Sequence, residues 1–189
     1  MVRSYDARRR KQNAVQTRNA IIQAAMKLHW EGISEFEFIA EEAGCSVATV
    51  RKHFPTKESL YRDCTRTFAA SLAFPDLAAM AKIRSRTERL NQGVREMCRL
   101  HDAMFGYAWH SAYARRNSPA LGTVMDEYEG MAEAISQIIV PKRSDRLATV
   151  RGLLDFLTYR ALRLSGNISQ ENLANELVAI ISLVLGEQK

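Results

Sequence analysis

The sequence predicts an all-α protein, with an N-terminal three-helix helix-turn-helix domain followed by a larger helical domain. Three observations carry that expectation. Apolar residues recur at spacings of three and four along most of the 189 residues. Val, Ile and Thr form no alternating runs, and no Asn-Gly or Asp-Gly hairpin turn occurs. Gly44 falls between two short apolar segments, where a helix pair has to turn.

The elements follow in order. A first helix is predicted to start after Thr17, with Ile21, Ala25 and Leu28 on one face and Gly32 just beyond its end. Ser34 is placed to cap a short second helix, with Glu37 three residues later as a capping box requires. That helix runs through Ile39 and Ala40 and stops near Gly44, which enters the left-handed conformation cheaply. Ser46 caps a third short helix that ends near Phe54 and Pro55. Thr56 caps a fourth, carried toward Pro75 by Leu60, Cys64, Phe68 and Leu72. Longer helices are predicted at roughly 86–104, 105–114, 119–139, 144–165 and 170–186, separated by Arg115–Pro119, Pro141 and Gly166-Asn167. The domain reading is a flexible basic arm over 1–16, a helix-turn-helix domain over 17–62 and a helical domain over 63–189.

Charge and cysteine usage limit the functional classes. The net charge is +6, from 27 Lys and Arg against 21 Asp and Glu. Residues 1–18 hold Arg3, Arg8, Arg9, Arg10, Lys11 and Arg18 against Asp6 alone, so nearly all of the excess lies on a short N-terminal stretch. Such a stretch fits a phosphate backbone, an anionic membrane surface or a solvated tail. Residues 19–62 carry five basic and six acidic side chains, so bulk charge is not what would make that region bind an anion. Three separated cysteines, Cys45, Cys64 and Cys98, argue for free thiols in a reducing compartment. No apolar run approaches a bilayer span, and a soluble cytoplasmic protein is expected.

The turn Ala43-Gly44-Cys45-Ser46 joins two short helices with a specific logic. Ala40 is small where the second helix crosses the first, Gly44 tolerates positive φ, and Ser46 caps the following helix. Val50 is apolar for the core, while Thr49, Arg51, Lys52 and His53 offer hydrogen-bond donors on the face that would enter a major groove. The stretch from Thr17 to Leu60 resembles the DNA-binding domain of the TetR (tetracycline repressor) family of bacterial transcriptional regulators. The matching residues are Ile21-Ile22-x-Ala24-Ala25, Ile39-Ala40-x-x-Ala43-Gly44-Cys45-Ser46, Val47-Ala48-Thr49-Val50 and His53-Phe54-Pro55-Thr56-Lys57-Glu58-Ser59-Leu60. Two departures stand out: Arg51 replaces the aromatic residue usual in the family, and the loop around Gly32 is about three residues shorter.

The resemblance implies roles for particular residues. Ser46 would face a phosphate together with the first N–H groups of its helix. Thr49, Arg51, Lys52 and His53 would meet base edges or the flanking backbone. Thr56 and Lys57 would anchor a second phosphate, and Thr17 and Arg18 would touch the backbone from the first helix. It further implies a larger domain that binds an effector and dimerises, and a repressor released from a palindromic operator by a small molecule.

In the larger domain two apolar rows are candidates for a homodimer surface. Leu147, Val150, Leu154, Leu157, Ala161 and Leu164 form one; Leu173, Leu177, Ile180, Ile181, Val184 and Leu185 form the other. The middle helices are rich in Met and aromatic residues, and Met104, Trp109, His110, Tyr113 and Tyr128 are candidates to line an effector pocket. Cys98, His101 and Asp102 share a helix face at metal-ligand spacing, although a buried thiol beside a hydrogen-bonded His is the expected state. No nucleophile-base-orienter set or phosphate loop is present, so no enzyme and no cofactor are expected. The alternatives are an effector-independent or nucleoid-type DNA binder and, further off, a helical metal-binding protein. Effector, operator and sign of regulation are not written in the sequence.

Overall fold

The computed structural model describes residues 2–140 and 145–186. Among these residues there are α-helices, one short 3-10 turn and no strand. They divide into two compact units. The first takes in residues through Ser71 together with Trp109–Val124, and the second takes in Leu72–Ala108 and the residues from Met125 onward.

The first unit begins with α1, Val2–Trp30. Its start differs from the sequence expectation, because the helix already begins at Val2, ahead of Thr17. No Gly or Pro precedes Gly32, and Ala, Arg, Lys and Gln dominate the stretch, so nothing in it stops helix propagation. Arg3 lies outside the residues whose side chains are described. Gly32 ends α1 with φ +83°, and the Ile33 N–H donates to the Leu28 carbonyl at 2.9 Å, closing the last turn.

Next come α2, Phe36–Glu42, α3, Val47–His53, and α4, Lys57–Ser71. The start of α2 corrects the sequence reading. Glu35, one residue beyond Ser34, occupies the cap position, makes no side-chain cap bond, and the Ser34–Glu37 capping box does not form. Burial of Phe36 sets the start of this helix, and the Ser34 hydroxyl instead accepts from Lys57 Nζ at 3.2 Å. Gly44 adopts φ +64° in the turn as expected. One apolar cluster holds the four helices: Ile21, Ala25 and Leu28 of α1, Ile39 and Ala40 of α2, Val50 and Phe54, and Leu60 and Cys64 of α4.

The remaining helices are α5, Leu77–Ala81; α6, Arg86–Ala114; α7, Pro119–Ile139; α8, Leu147–Leu153; α9, Phe156–Leu164; and α10, Gln170–Val184. Three differ from expectation. The α5 turn follows Pro75 and is capped by Asp76, whose carboxylate accepts from the Ala79 N–H at 2.9 Å. The predicted break near 104 is absent, since the local sequence Asp-Ala-Met-Phe-Gly-Tyr contains no residue that must leave the helix. The predicted 144–165 helix is two, because Asp155 takes the Leu157 N–H at 2.8 Å and starts a new helix there. Pro141, expected to separate helices, lies outside the described residues.

In the second unit α6 and α7 approach closely at Gly93. A Cβ at Gly93 would lie 2.9 Å from both Ile135 and Ile139, so the helices approach through the absent side chain. Leu90, Val94, Met97 and Leu100 bury along α6, and Val150, Tyr159, Leu173, Leu177 and Ile181 complete that core. No described helix is long and apolar enough to cross a membrane.

Candidate nucleic-acid interface

Helix α3 is short, and its geometry is fixed at both ends. Ser46 Oγ accepts from the Thr49 N–H at 3.1 Å and lies 2.9 Å from Thr49 Oγ1, so the cap read from the sequence forms. Val50 and Phe54 are buried, turning the opposite side of α3 outward. Arg51 and Lys52 are exposed there, with Thr49 and His53 half-buried beside them. The Arg51 guanidinium stands 5.4 Å from the Phe36 ring, close enough for a cation–π contact that orders it on the surface.

At the start of α4, Thr56 Oγ1 accepts from the Ser59 N–H at 3.1 Å, and Ser59 Oγ accepts from the Thr56 N–H at 3.3 Å. This reciprocal cap holds exposed Thr56 and Lys57 at a helix N-terminus, where an anion is favoured. Lys57 Nζ also lies 3.8 Å from the Glu35 carboxylate. Both side chains of that pair are half-exposed, so the pairing is a weak one that an incoming phosphate can replace.

The two residues expected to reach out from α1 are differently placed. Thr17 bonds back to the Asn13 carbonyl at 2.9 Å, as a helical threonine often does. Arg18 is engaged inside the unit. It pairs with Asp63 of α4, donates to the His53 carbonyl at 2.9 Å, and stacks 4.2 Å from the Phe54 ring centre. It thereby ties α1, the end of α3 and α4 together, a role its spacing in the sequence did not announce.

Other contacts support this module. The His29 ring packs 4.9 Å from Tyr61, and burial, reinforced by Lys57, lowers its pKa to about 4. Glu58 accepts from Ser118 Oγ and from the Ala120 N–H at 3.1 Å, so its carboxylate caps the first turn of α7. His110 stands against the α1–α2 turn, 2.6 Å from where a Cβ on Gly32 would sit.

The five candidate pocket residues are divided between the two units. Met104 and Tyr128 are buried in the second unit, whereas Trp109, His110 and Tyr113 belong to the first. Tyr113 is 78% exposed and Trp109 also faces solvent. The structure gathers a different polar group in the second unit, around His101. His101 Nε2 donates to the Leu154 carbonyl at 2.9 Å, which leaves Nδ1 to accept from the Tyr128 hydroxyl. Tyr159 donates to Asp102, and the Phe105 and Phe156 rings close around them. Burial lowers the His101 pKa to about 4 and pushes the Cys98 thiol up to about 12. His101 and Asp102 thus bond separate partners, and Cys98 is a buried free thiol beside the hydrogen-bonded His, as expected.

Residues 21–64 match the family model for bacterial regulatory proteins of the tetR family. This is a tetR-family segment. It spans the last ten residues of α1, all of α2 and α3, and the first half of α4. No match was found to any curated protein. Among solved structures, a TetR-family transcriptional regulator of Mesorhizobium loti MAFF303099 is similar at 19% identity and TM-score 0.60, over 92% of this chain and 96% of that one. A transcriptional regulator of Rhodococcus sp. Rha1 is similar at 18% identity and TM-score 0.61, over 91% and 98%. The regulator FadR of Bacillus subtilis, solved with stearoyl-CoA, is similar at 18% identity and TM-score 0.56, over 90% and 98%. At these identities the likeness is one of fold, and it extends beyond the tetR-family segment through the larger helical region.

Relative to that segment, Arg18 stands just ahead of the match, while Asp63 lies within it at its far end. Sequence reading missed their pairing because the two residues are 45 positions apart and neither belongs to a recognisable motif. The Glu58 contact with 118 and 120 was equally hidden: its only local sign was an acidic residue in the first turn of α4, which the helix dipole already explains.

Proposed function

We propose that this chain is a sequence-specific DNA-binding transcriptional regulator, acting as a homodimeric repressor released by a small-molecule effector. The observation that carries the reading is α3 itself. It is a Ser46-capped helix on a buried Val50–Phe54 side, with Thr49, Arg51 and Lys52 turned outward within a tetR-family segment. Thr49, Arg51, Lys52 and His53 meet base edges and adjacent backbone, while Ser46, Thr56 and Lys57 hold phosphates. Thr17 and Arg18 serve the interface from α1, Arg18 through its hold on the end of α3.

One recognition helix reads few base pairs, so two copies on a palindrome are required. Leu157 of α9 is 61% exposed and Leu183 of α10 is 69% exposed, supporting these two helices as the dimer surface. The second unit seats the effector, around Met104 and the His101–Tyr128 group. The stearoyl-CoA held by the similar Bacillus subtilis regulator supports an organic ligand there. Trp109, His110 and Tyr113 remain candidates for ligand contact within the first unit. Release follows because the effector favours a conformation with weaker operator affinity. Such a protein works in the cytoplasm.

The test is footprinting on the intergenic DNA beside the protein's own gene, across a salt series and with nonspecific competitor. Protection of a palindromic site is expected, with Lys57→Ala weakening all sequences alike and Arg51→Ala relaxing base preference. Uniform, salt-labile coverage would indicate a structural DNA binder instead, and no binding at all would overturn the reading.

A further inference from the structure

The basic N-terminal stretch is part of the same helix that carries Arg18. From Arg8 through Gln16 every side chain is exposed, so these turns of α1 present their side chains to solvent. Arg8 and Lys11 are like charges three residues apart, an arrangement that weakens an isolated helix unless an anion neutralises it. Positions 8, 11, 15 and 18 follow the three-four-three spacing of a single helix stripe. Arg18 on that stripe is bonded to the His53 carbonyl at the end of α3, which fixes the stripe's rotation relative to the recognition helix. Arg9 is nine residues, two and a half turns, from Arg18 and therefore lies on the opposite side of α1.

We propose that the exposed N-terminal part of α1 is a helical phosphate-binding element, in which Arg8 and Lys11, but not Arg9, engage the duplex backbone beyond the contacts of α3. This rests on the DNA-binding reading above. The phase of a continuous helix, rather than the reach of a flexible tail, selects which cations of the basic run take part. A membrane surface fits this stretch less well, because Ala14 and Val15 are its only apolar residues between Arg8 and Gln16 and give no apolar face to bury.

The experiment uses full-length protein. It measures binding to a duplex obtained by in vitro selection with that protein, and to a mixed-sequence duplex, over a range of salt concentrations. The double variant Arg8→Gln/Lys11→Gln is expected to lower the slope of log affinity against log salt by roughly 2 per subunit on both duplexes, leaving the preference between them unchanged. Arg9→Gln is expected to leave the slope unchanged. Equal losses from the Arg9→Gln and double variants, or no loss from the double variant, would overturn the inference while leaving the DNA-binding reading intact. Failure of the wild-type protein to bind either duplex would instead overturn that reading, and the inference with it. Phosphatidylserine vesicles are the control: binding to them that the double variant abolishes, with duplex binding unaffected, would assign the element to a membrane.

Discussion

Arg18 shows how one side chain fixes a surface it does not belong to. Its guanidinium meets a carboxylate of α4 and, at the end of α3, a backbone carbonyl and a ring face. A lysine has one charged centre and cannot serve all three. Arg18→Met is expected to cost about 1–3 kcal/mol of stability in denaturant unfolding, with Arg18→Lys recovering only part. His101 sets a second expectation. It is buried and neutral, with its pKa at about 4 against 6.5 when unfolded. The unfolded chain therefore binds the proton more readily. The stabilisation from keeping His101 neutral is complete above pH 6.5 and falls away as pH drops toward 4, by roughly 3 kcal/mol at most. Urea midpoints across that range check it, and His101→Gln is expected to make the profile shallower, with His29 supplying the slope that remains. At this scale the caps of Ser46 and Thr56 were legible because each needs only a hydroxyl at a helix start. The bonds of Arg18 and His101 were not, since their partners come from distant parts of the chain.

Helices were legible where a breaking residue marks their ends and misread where tertiary burial or a side-chain cap decides. Gly32 and Gly44 take the positive φ expected of them. The start of α2 moved because Phe36 burial overrode a plausible Ser34 cap. Asp155 divided a continuous apolar row: Val150 and Leu154 before it go to the core, while Leu157 and Leu164 after it face solvent. Periodicity cannot anticipate that shift of phase, because the spacing runs unbroken through the cap. Gly32 gives the prediction belonging to this scale. Gly32→Ala combines an unfavourable φ with a Cβ 2.6 Å from the His110 ring. It is expected to destabilise the protein by about 1 kcal/mol or more in thermal unfolding. Adding His110→Ala should restore the steric part alone, since the backbone strain remains.

For the whole molecule, the all-α class was readable from spacing alone, and the fold of the larger helical region agrees with solved regulators at low identity. A ligand pocket was not readable, because Met and aromatic residues at helical spacing serve a core as well as a pocket. The dimer surface is the prediction at this scale. Leu183→Glu places a charge on an exposed apolar position and is expected to convert a dimer to a monomer in sedimentation velocity, with operator affinity falling in parallel. Folding should be little affected, since Leu183 is not part of the core.

The carboxylate of Glu58 closes the first turn of a helix some sixty residues further on, and His110 backs the turn at Gly32. The unit that carries α3 is therefore discontinuous along the chain. During synthesis its first 71 residues emerge well before the segment 109–124 that completes it. Nascent chains shorter than this hold α3 on an unfinished support. Full rigidity of that unit arrives only once Leu72–Ala108, the smaller part of the second unit, has also left the ribosome.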